Sequence, residues 1–386
     1  MQHIPEFRYY LSDGKIPIDK SCTVWNWPFP LHFKKENPES DHVQLTYGDY
    51  YRCLRKFIEK DNFAAITAAA SQRLQHIVHP EDISTINIHL EKHGPYYHPA
   101  RIRMRGKNRD MQFSLNVAIS LAGKRIIERE YGLLKRLNSD FPFPFLPEVY
   151  HLDSVSCSEE NHTLVMFLGE WCEGFHEFHI SDRRADEHCE IMRWDPLHGK
   201  VALNSKQIET VYQKAALILT CYYNPLTFEQ IFPWYHPTGD FIIKVCNDTL
   251  DVKLISVRRY GPMVENEPTD LQDILEAMLV FLLNLSMWTR IDRIDGVEGF
   301  AWADVRAVNA TIEGFFKGLS YKKELDLLME PLSIYFKEYL CSLSQTILYD
   351  LSAAIVNTYH PKRPERMIIQ RHLKDHVAQL YAAILK

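Results

Sequence analysis

From Ile83 to Glu170 the apolar and polar positions change period in a way that predicts a small sheet with one helix. The run "ISTINIHLEKHGPYYHPARIRMRG" reads as two strands joined by a turn at Gly94-Pro95. "MQFSLNVAIS" follows as a third strand. In "GKRIIEREYGLLKRL" the period becomes helical, with Ile127, Leu134 and Leu137 on one face and Glu130 among them. The Pro-rich "FPFPFLPEVYHLD" leads into a fourth strand, and "HTLVMFLGEW" is a fifth. Strand, strand, strand, helix, strand, strand is the order of a small antiparallel sheet with one helix packed on it.

The flanks read differently. Residues 1–80 hold an aromatic, proline-rich loop, "VWNWPFPLHF", and a stretch of helical composition broken near Asp61-Asn62. Beyond Gly174 the chain is charged and irregular to about Lys200. "SKQIETVYQKAALILTCYY" is an amphipathic helix that Ser205 caps, with Glu209 close by in the first turn. "LDVKLISVRRY" is a strand, "PTDLQDILEAMLVFLLNLSMW" a helix with a capping box from Thr269 to Gln272, and the remainder several more helices. No internal repeat or low-complexity segment interrupts this order. The fold class is α+β, with an N-terminal mostly helical extension (1–80), a small sheet-bearing lobe (81–172) and a larger, mostly helical lobe (173–386).

Composition narrows the partners. The 386 residues are 46% hydrophobic and 24% charged with a net charge of −6, which argues against nonspecific nucleic-acid binding. The run from Ala277 to Trp288 is interrupted by Asn284 and Ser286 and falls short of the ~20 residues that span a bilayer, so it reads as a core helix. The eight cysteines show no CxxC and no repeat spacing, and the N-terminus has no signal-peptide pattern. Reduced thiols in a cytoplasmic protein are the expectation.

Two patterns could carry chemistry in the sheet region. A carboxylate in an apolar stripe is costly to bury without a cation or several donors, so Glu130 either positions a basic group or curls from the stripe's edge into solvent. On the helix alone, solvent is the expectation. In "ARIRMR" the three arginines Arg101, Arg103 and Arg105 share one face of a strand and Ile102 and Met104 the other. A solvated face explains them; a guanidinium forked onto an anion or onto Glu130 is the sharper account. Histidines His89, His93, His98, His176, His179, His188 and His236 are spread among carboxylates without HExxH or a Cys/His cluster of metal spacing, so they read as ordinary histidines before a metal hydrolase site. Cys172 and Cys189 read as packed thiols.

The element order, with "VAIS" and then "EREYGLLKRL", resembles the smaller lobe of the protein-kinase-like superfamily, especially its aminoglycoside and choline phosphotransferase branch. The resemblance covers roughly residues 83–290 and implies a bilobal fold that binds ATP and Mg²⁺. It puts Glu130 in the place of the helix glutamate that holds the nucleotide lysine. "LVMFLGEWCEG" then looks like the strand and hinge that carry adenine, which brings in Glu170 and Cys172. "WYHPTGDFII" is similar to the catalytic loop, with Asp240 as metal ligand and His236 as base or substrate contact. Departures accompany it. Ser120 stands where the strand lysine is expected, Ser256 where the second metal-binding Asp is expected, and Tyr235 near the catalytic Asp. The turn "EKHGPYYHP" has a single glycine. Arg101, Arg103, Arg105 or Lys124 are the candidates to replace the missing cation. Two functions follow from the resemblance: an ATP/Mg-dependent small-molecule phosphotransferase, or an inactive kinase-like module that binds a nucleotide or protein.

Overall fold

The computed structural model describes residues 4–12, 14–30, 45–94, 96–107, 109–157, 162–181, 190–195, 198–234, 239–247, 249–265, 268–296, 298–322 and 331–386. It is a mixed α+β protein, and the chain divides into two compact units. The first comprises Met1–Arg136 and Pro147–Glu173, the second Leu137–Leu146 and Gly174–Lys386.

The first unit contains β1 (Glu6–Tyr10), α1 (Tyr47–Leu74), β2 (Ile83–Leu90), β3 (Ala100–Gly106), β4 (Asp110–Ala118), α2 (Leu121–Asp140), β5 (Val149–Cys157) and β6 (His162–Glu170). They form one six-stranded sheet in the order β1-β2-β3-β4-β6-β5, antiparallel except that β1 runs parallel to β2. Period-two alternation sorts the faces. Ile86, Ile88, Ile102, Met104, Phe113 and Leu115 are buried with Tyr50, Leu54 and Phe57 of α1 on one side. The opposite side carries a polar row, Tyr10, His89, Arg101 and Ser114, aligned across four strands. Near β6 that side also bears Phe167, whose ring lies 5.8 Å from Tyr131 of α2. Within the first 80 residues, β1 and α1 are therefore built into this unit, as its edge strand and as the helix covering its core. The expected break in α1 is present: Lys60 to Phe63 leave helical geometry, with φ of 50°, 56° and 64° at Asp61, Asn62 and Phe63.

Cys53 of α1 and Cys157, the last residue of β5, are joined by a disulfide, with Cα atoms 5.8 Å apart. Both are buried. This corrects the expectation of reduced thiols throughout. Two cysteines 104 positions apart carry no local spacing signal, and only the packing of α1 along β5 brings them together.

The second unit holds β7 (Phe178–Ser181), β8 (Glu190–Asp195), β9 (Gly199–Ala202), α3 (Ser205–Cys221), β10 (Glu229–Ile231), β11 (Phe241–Cys246), β12 (Thr249–Leu254), β13 (Tyr260–Pro262), α4 (Leu271–Trp288), β14 (Ile291–Arg293), β15 (Phe300–Trp302), α5 (Val305–Leu319), α6 (Leu332–Ser342), α7 (Gln345–Thr358) and α8 (Pro364–Ile384). The irregular stretch after Gly174 contains a three-stranded sheet, β7-β8-β9, rather than loop alone. Caps shift by one residue from expectation. Asn204, not Ser205, caps α3 in a reciprocal box with Gln207, and Asp270 caps α4 by accepting from the Asp273 amide. Among the described helices α4 is long and apolar enough by itself to cross a membrane, but 67% of it is buried within the protein, as a core helix should be.

Helices α3 and α5 touch backbone to backbone. A β-carbon at Gly314 would lie 2.0 Å from the carbonyl oxygen of Gln213, and one at Gly318 would lie 2.6 Å from Thr220 Cβ. The glycines four apart on α5 thus permit a crossing that any side chain forbids. Gly314→Ala is expected to destabilise the protein by about 1–3 kcal/mol, the cost of forcing extra volume into a packed interface, read as a lower urea midpoint.

Candidate functional site

The turn before β11 is positioned by the β11–β12 hairpin. These strands pair from Phe241 opposite Leu254 to Cys246 opposite Thr249. The Asp240 carbonyl accepts the Ile255 amide at 2.7 Å, which carries the pairing one step past the strand end. Gly239 has φ +71°, the left-handed region, and a β-carbon there would meet the Glu177 carboxylate at 3.1 Å. Backbone bonds in both directions between His176 and Ile243, 2.8 and 2.9 Å, hold the segment around Glu177 against β11. Lys244 and Lys253 on the hairpin each place an ammonium 5.9 Å from the Phe175 ring.

Asp240 itself is 1% exposed. An ionised carboxylate so buried requires a counter-charge, and the Arg258 Nη1 donates to its Oδ2. Ser256, also buried, precedes that arginine by two residues. As a magnesium pair this set does not fit. One carboxylate already carries a guanidinium, and the second position offers a hydroxyl where the ion favours carboxylate oxygen. His236 and Tyr235 lie outside the described residues, as do His188 and Cys189.

The other candidates divide between structural and open roles. Ser120 caps α2: its Oγ accepts the Gly123 amide at 3.1 Å, and its carbonyl accepts the Lys124 amide at 2.9 Å. A serine where the resemblance places lysine thus has a local physical reason. Lys124 sits one helical turn away from it. Arg101 and Arg103 do not reach that position. They stand opposite Ser114 and Gln112, and Ser120 lies six residues beyond Ser114, roughly 20 Å along an extended chain. Their partners are acidic neighbours: Arg101 is 2.8 Å from Glu91, while Arg103 and Arg105 are 3.6 and 3.8 Å from Asp110. Arg101 also lies over the Trp171 ring.

Glu130 is 2% exposed. It continues the buried stripe of Ile127, Leu134 and Leu137, which corrects the expectation that it turns to solvent. At the end of β6, the Glu170 carboxylate accepts the Glu148 amide at 3.3 Å and its carbonyl accepts the Ser114 hydroxyl at 3.2 Å, while Cys172 is half-buried. Glu130 belongs to the first unit and Asp240 to the second.

The histidines gather no metal-ligand set: among the described residues no three His, Cys, Asp or Glu side chains are disposed to hold an ion. Some are nonetheless in polar networks that sequence gave no sign of. His179 Nδ1 lies 3.4 Å from Asp292, whose carboxylate also accepts the amides of Ile180 and Arg293. His93 and His98 face each other Nδ1 to Nδ1 at 3.3 Å. His89 in the polar row is held down to about 4 by burial and by the charges of Arg101 and Arg103.

No protein-family model matches the chain, and no curated protein is significantly similar to it.

Proposed function

We propose that the chain is a kinase-like protein that binds a nucleotide or another small phosphorylated ligand and works as a binding or regulatory module. The observation that carries the kinase-like part is the path through the first unit. Three strands form a meander, β2-β3-β4; α2 follows and buries a glutamate; then β5 and β6 return, with β6 beside β4 and β5 outside it. The order of elements that carries the resemblance is kept, and Glu130 is turned inward as it requires.

Binding is favoured over transfer by what the phosphate-handling positions do instead. Phosphoryl transfer relies on cations and Mg²⁺ concentrated on the phosphates. Here Ser120 caps a helix and Asp240 is engaged by Arg258. The ATP- and magnesium-dependent phosphotransferase is therefore the lesser reading.

Thermal unfolding with ATP, ADP or GTP, each with and without Mg²⁺, tests the proposal. Saturating nucleotide is expected to raise the transition by several degrees, since a ligand bound only by the native state stabilises it, and no ADP is expected to accumulate above background. ADP release lost in Asp240→Ala restores the phosphotransferase. A transition unmoved by every nucleotide leaves the reading without support.

A further inference from the structure

We propose that the open face of the six-stranded sheet, centred on Arg103, is a docking surface for a single-stranded nucleic acid. It needs only the first unit and does not rest on the kinase-like reading above.

Strand alternation builds the surface. With Ile102 and Met104 buried toward α1, the residues between them face outward, and the alternation of cations runs on through the turn as Arg101, Arg103, Arg105, Lys107 and Arg109. Alternate strand residues lie roughly 7 Å apart, so the three guanidiniums of β3 repeat along one line. A lone anion uses one such step, whereas a chain of phosphates uses each of them. The Arg103 and Arg105 side chains are 46% and 50% exposed. Positive charge is left over at this end. Asp110 is the acid near both, at 3.6 and 3.8 Å, beyond hydrogen-bond reach, and among the described residues Arg109 has no ion pair. Arg8 and Arg101, by contrast, are each matched at 2.8 Å, to Glu6 and to Glu91. The net charge of −6 weighs against binding over the whole surface, and this face departs from it locally.

Charge alone would suit any polyanion; the groups between the arginines select among them. Asn87 and Gln112 stand directly opposite Arg103, one on each neighbouring strand. Asn87 is 7% exposed, and among the described residues neither its Oδ1 nor the Gln112 Oε1 accepts a hydrogen bond. The Gln112 Nε2 donates to Glu173 at 3.0 Å, which fixes the oxygen as the end left over. The exposed side chains of Arg8 and Arg103 flank Asn87 in its row, and their movement onto phosphates opens it. Two unfilled acceptors beside a loosely held guanidinium require a ligand that brings donors as well as negative charge, as base amino groups do. One row along, Tyr10 and His89 stack at 4.4 Å and 7°, and the Arg101 guanidinium lies over the Trp171 ring at 5.3 Å. Burial, with the charges of Arg101 and Arg103, holds the His89 pKa down to about 4, so at neutral pH it contributes a ring and no charge. Rings interleaved with guanidiniums hold single strands because every base has a face to stack. An acidic peptide brings the charge without the rings.

The test is fluorescence anisotropy of the full chain with labelled oligouridylate or oligothymidylate of about 12 nucleotides, between about 50 and 200 mM NaCl. Binding of either is expected, with log K falling against log salt at a slope of roughly −2, three phosphates at about −0.7 each. Arg103→Ala/Arg105→Ala should weaken binding about tenfold or more at the lower salt and flatten the slope to roughly −0.7. Tyr10→Leu should weaken it about tenfold with the slope unchanged, the mark of a lost stack rather than a lost charge. Asp110→Asn should tighten binding severalfold, an effect that a damaged fold does not imitate. Millimolar ATP should leave the strand bound, and oligoglutamate of the same length should not bind. The proposal is overturned if neither oligonucleotide binds, if the double-arginine variant binds like the unsubstituted protein, or if oligoglutamate binds equally well. Displacement of the strand by millimolar ATP would also overturn it, since one nucleotide would then fill the whole site.

Discussion

Reducing the Cys53–Cys157 bond is expected to destabilise the first unit by about 4–5 kcal/mol, the chain-entropy value for closing a loop of roughly 100 residues. The bond spans 104 positions and ties α1 to the edge strand β5. Without it the unfolded chain gains the freedom to separate these elements, while the native contacts of Phe57, Leu54 and their neighbours with the sheet stay in place. The effect should therefore appear chiefly as a shift in the unfolding midpoint. Urea titration with and without dithiothreitol measures it. Cys53→Ser and Cys157→Ser should match the reduced protein and lose their own response to the reductant. Thiol counting in denaturant without reductant should find two fewer reactive groups than the eight cysteines of the sequence. Eight reactive thiols, or identical midpoints in the two redox states, would show that the bond is not present in solution. The result bears on location as well, since a stable disulfide belongs to an oxidising compartment or to a regulated thiol pair.

What was legible in the sequence follows from how local its causes are. β3, β4 and α2 show in their periodicity because each has one apolar face against a core and a contrasting opposite face, whereas β6 shows as a continuous apolar run, Leu164 to Leu168, buried on both faces. The break in α1 shows because Asp61-Asn62 are residues that tolerate left-handed backbone. The strands β7, β8 and β9 are too short for a period to register; "GKVA" offers four residues and no alternating face. The caps of α3 and α4 were displaced by one residue because neighbouring polar residues, Asn204 beside Ser205 and Asp270 beside Thr269, are equally good caps on paper.

The candidate site divides in the same way. That Asp240 occupies a tight turn before a strand could be read from Gly239 and the apolar run after it. That its partner is Arg258 could not, because the pair closes across a hairpin register rather than within a window. "SVRRY" carries the arginine in plain view, but strand alternation alone assigns it no contact. Glu130 is the reverse case. Its place in the stripe was correct, and only the cost of burying a carboxylate suggested that it should leave.

Acid is expected to weaken the second unit well above the range in which carboxylates titrate, and His376 is the reason. It is fully buried on α8, with Nε2 3.1 Å from Ser286 Oγ on α4 and Nδ1 3.3 Å from Arg290 Nη1. Arginine can only donate, so Nδ1 accepts. The Ser286 hydroxyl donates to the Leu283 carbonyl, so its oxygen accepts the Nε2–H. The network thus requires the neutral imidazole. Burial, reinforced by the Arg290 charge, holds its pKa down to about 3, below the ordinary 6.5. Arg290 is itself fixed by the Ala303 carbonyl at 2.8 Å and Gln379 at 2.7 Å, so it cannot withdraw from an added proton. A histidine depressed on folding contributes fully above pH 6.5, and its contribution is lost progressively as pH falls from 6.5 toward 3, because the unfolded chain takes up the proton that the fold refuses. His89 acts in the same direction on the first unit, between 6.5 and about 4. Between pH 7.5 and 4.5 the His376 share should be on the order of 2–3 kcal/mol, at roughly 1.4 kcal/mol per pKa unit. The carboxylates held below their usual range, such as Asp304, give up their contribution only under still more acidic conditions. His376→Gln can accept from Arg290 and donate to Ser286 without titrating. Urea midpoints at the two pH values should therefore differ less in this variant than in the unsubstituted protein. Equal pH dependence in the two would mean that the imidazole is not held neutral, and the polar link joining α4 to α8 would need another account.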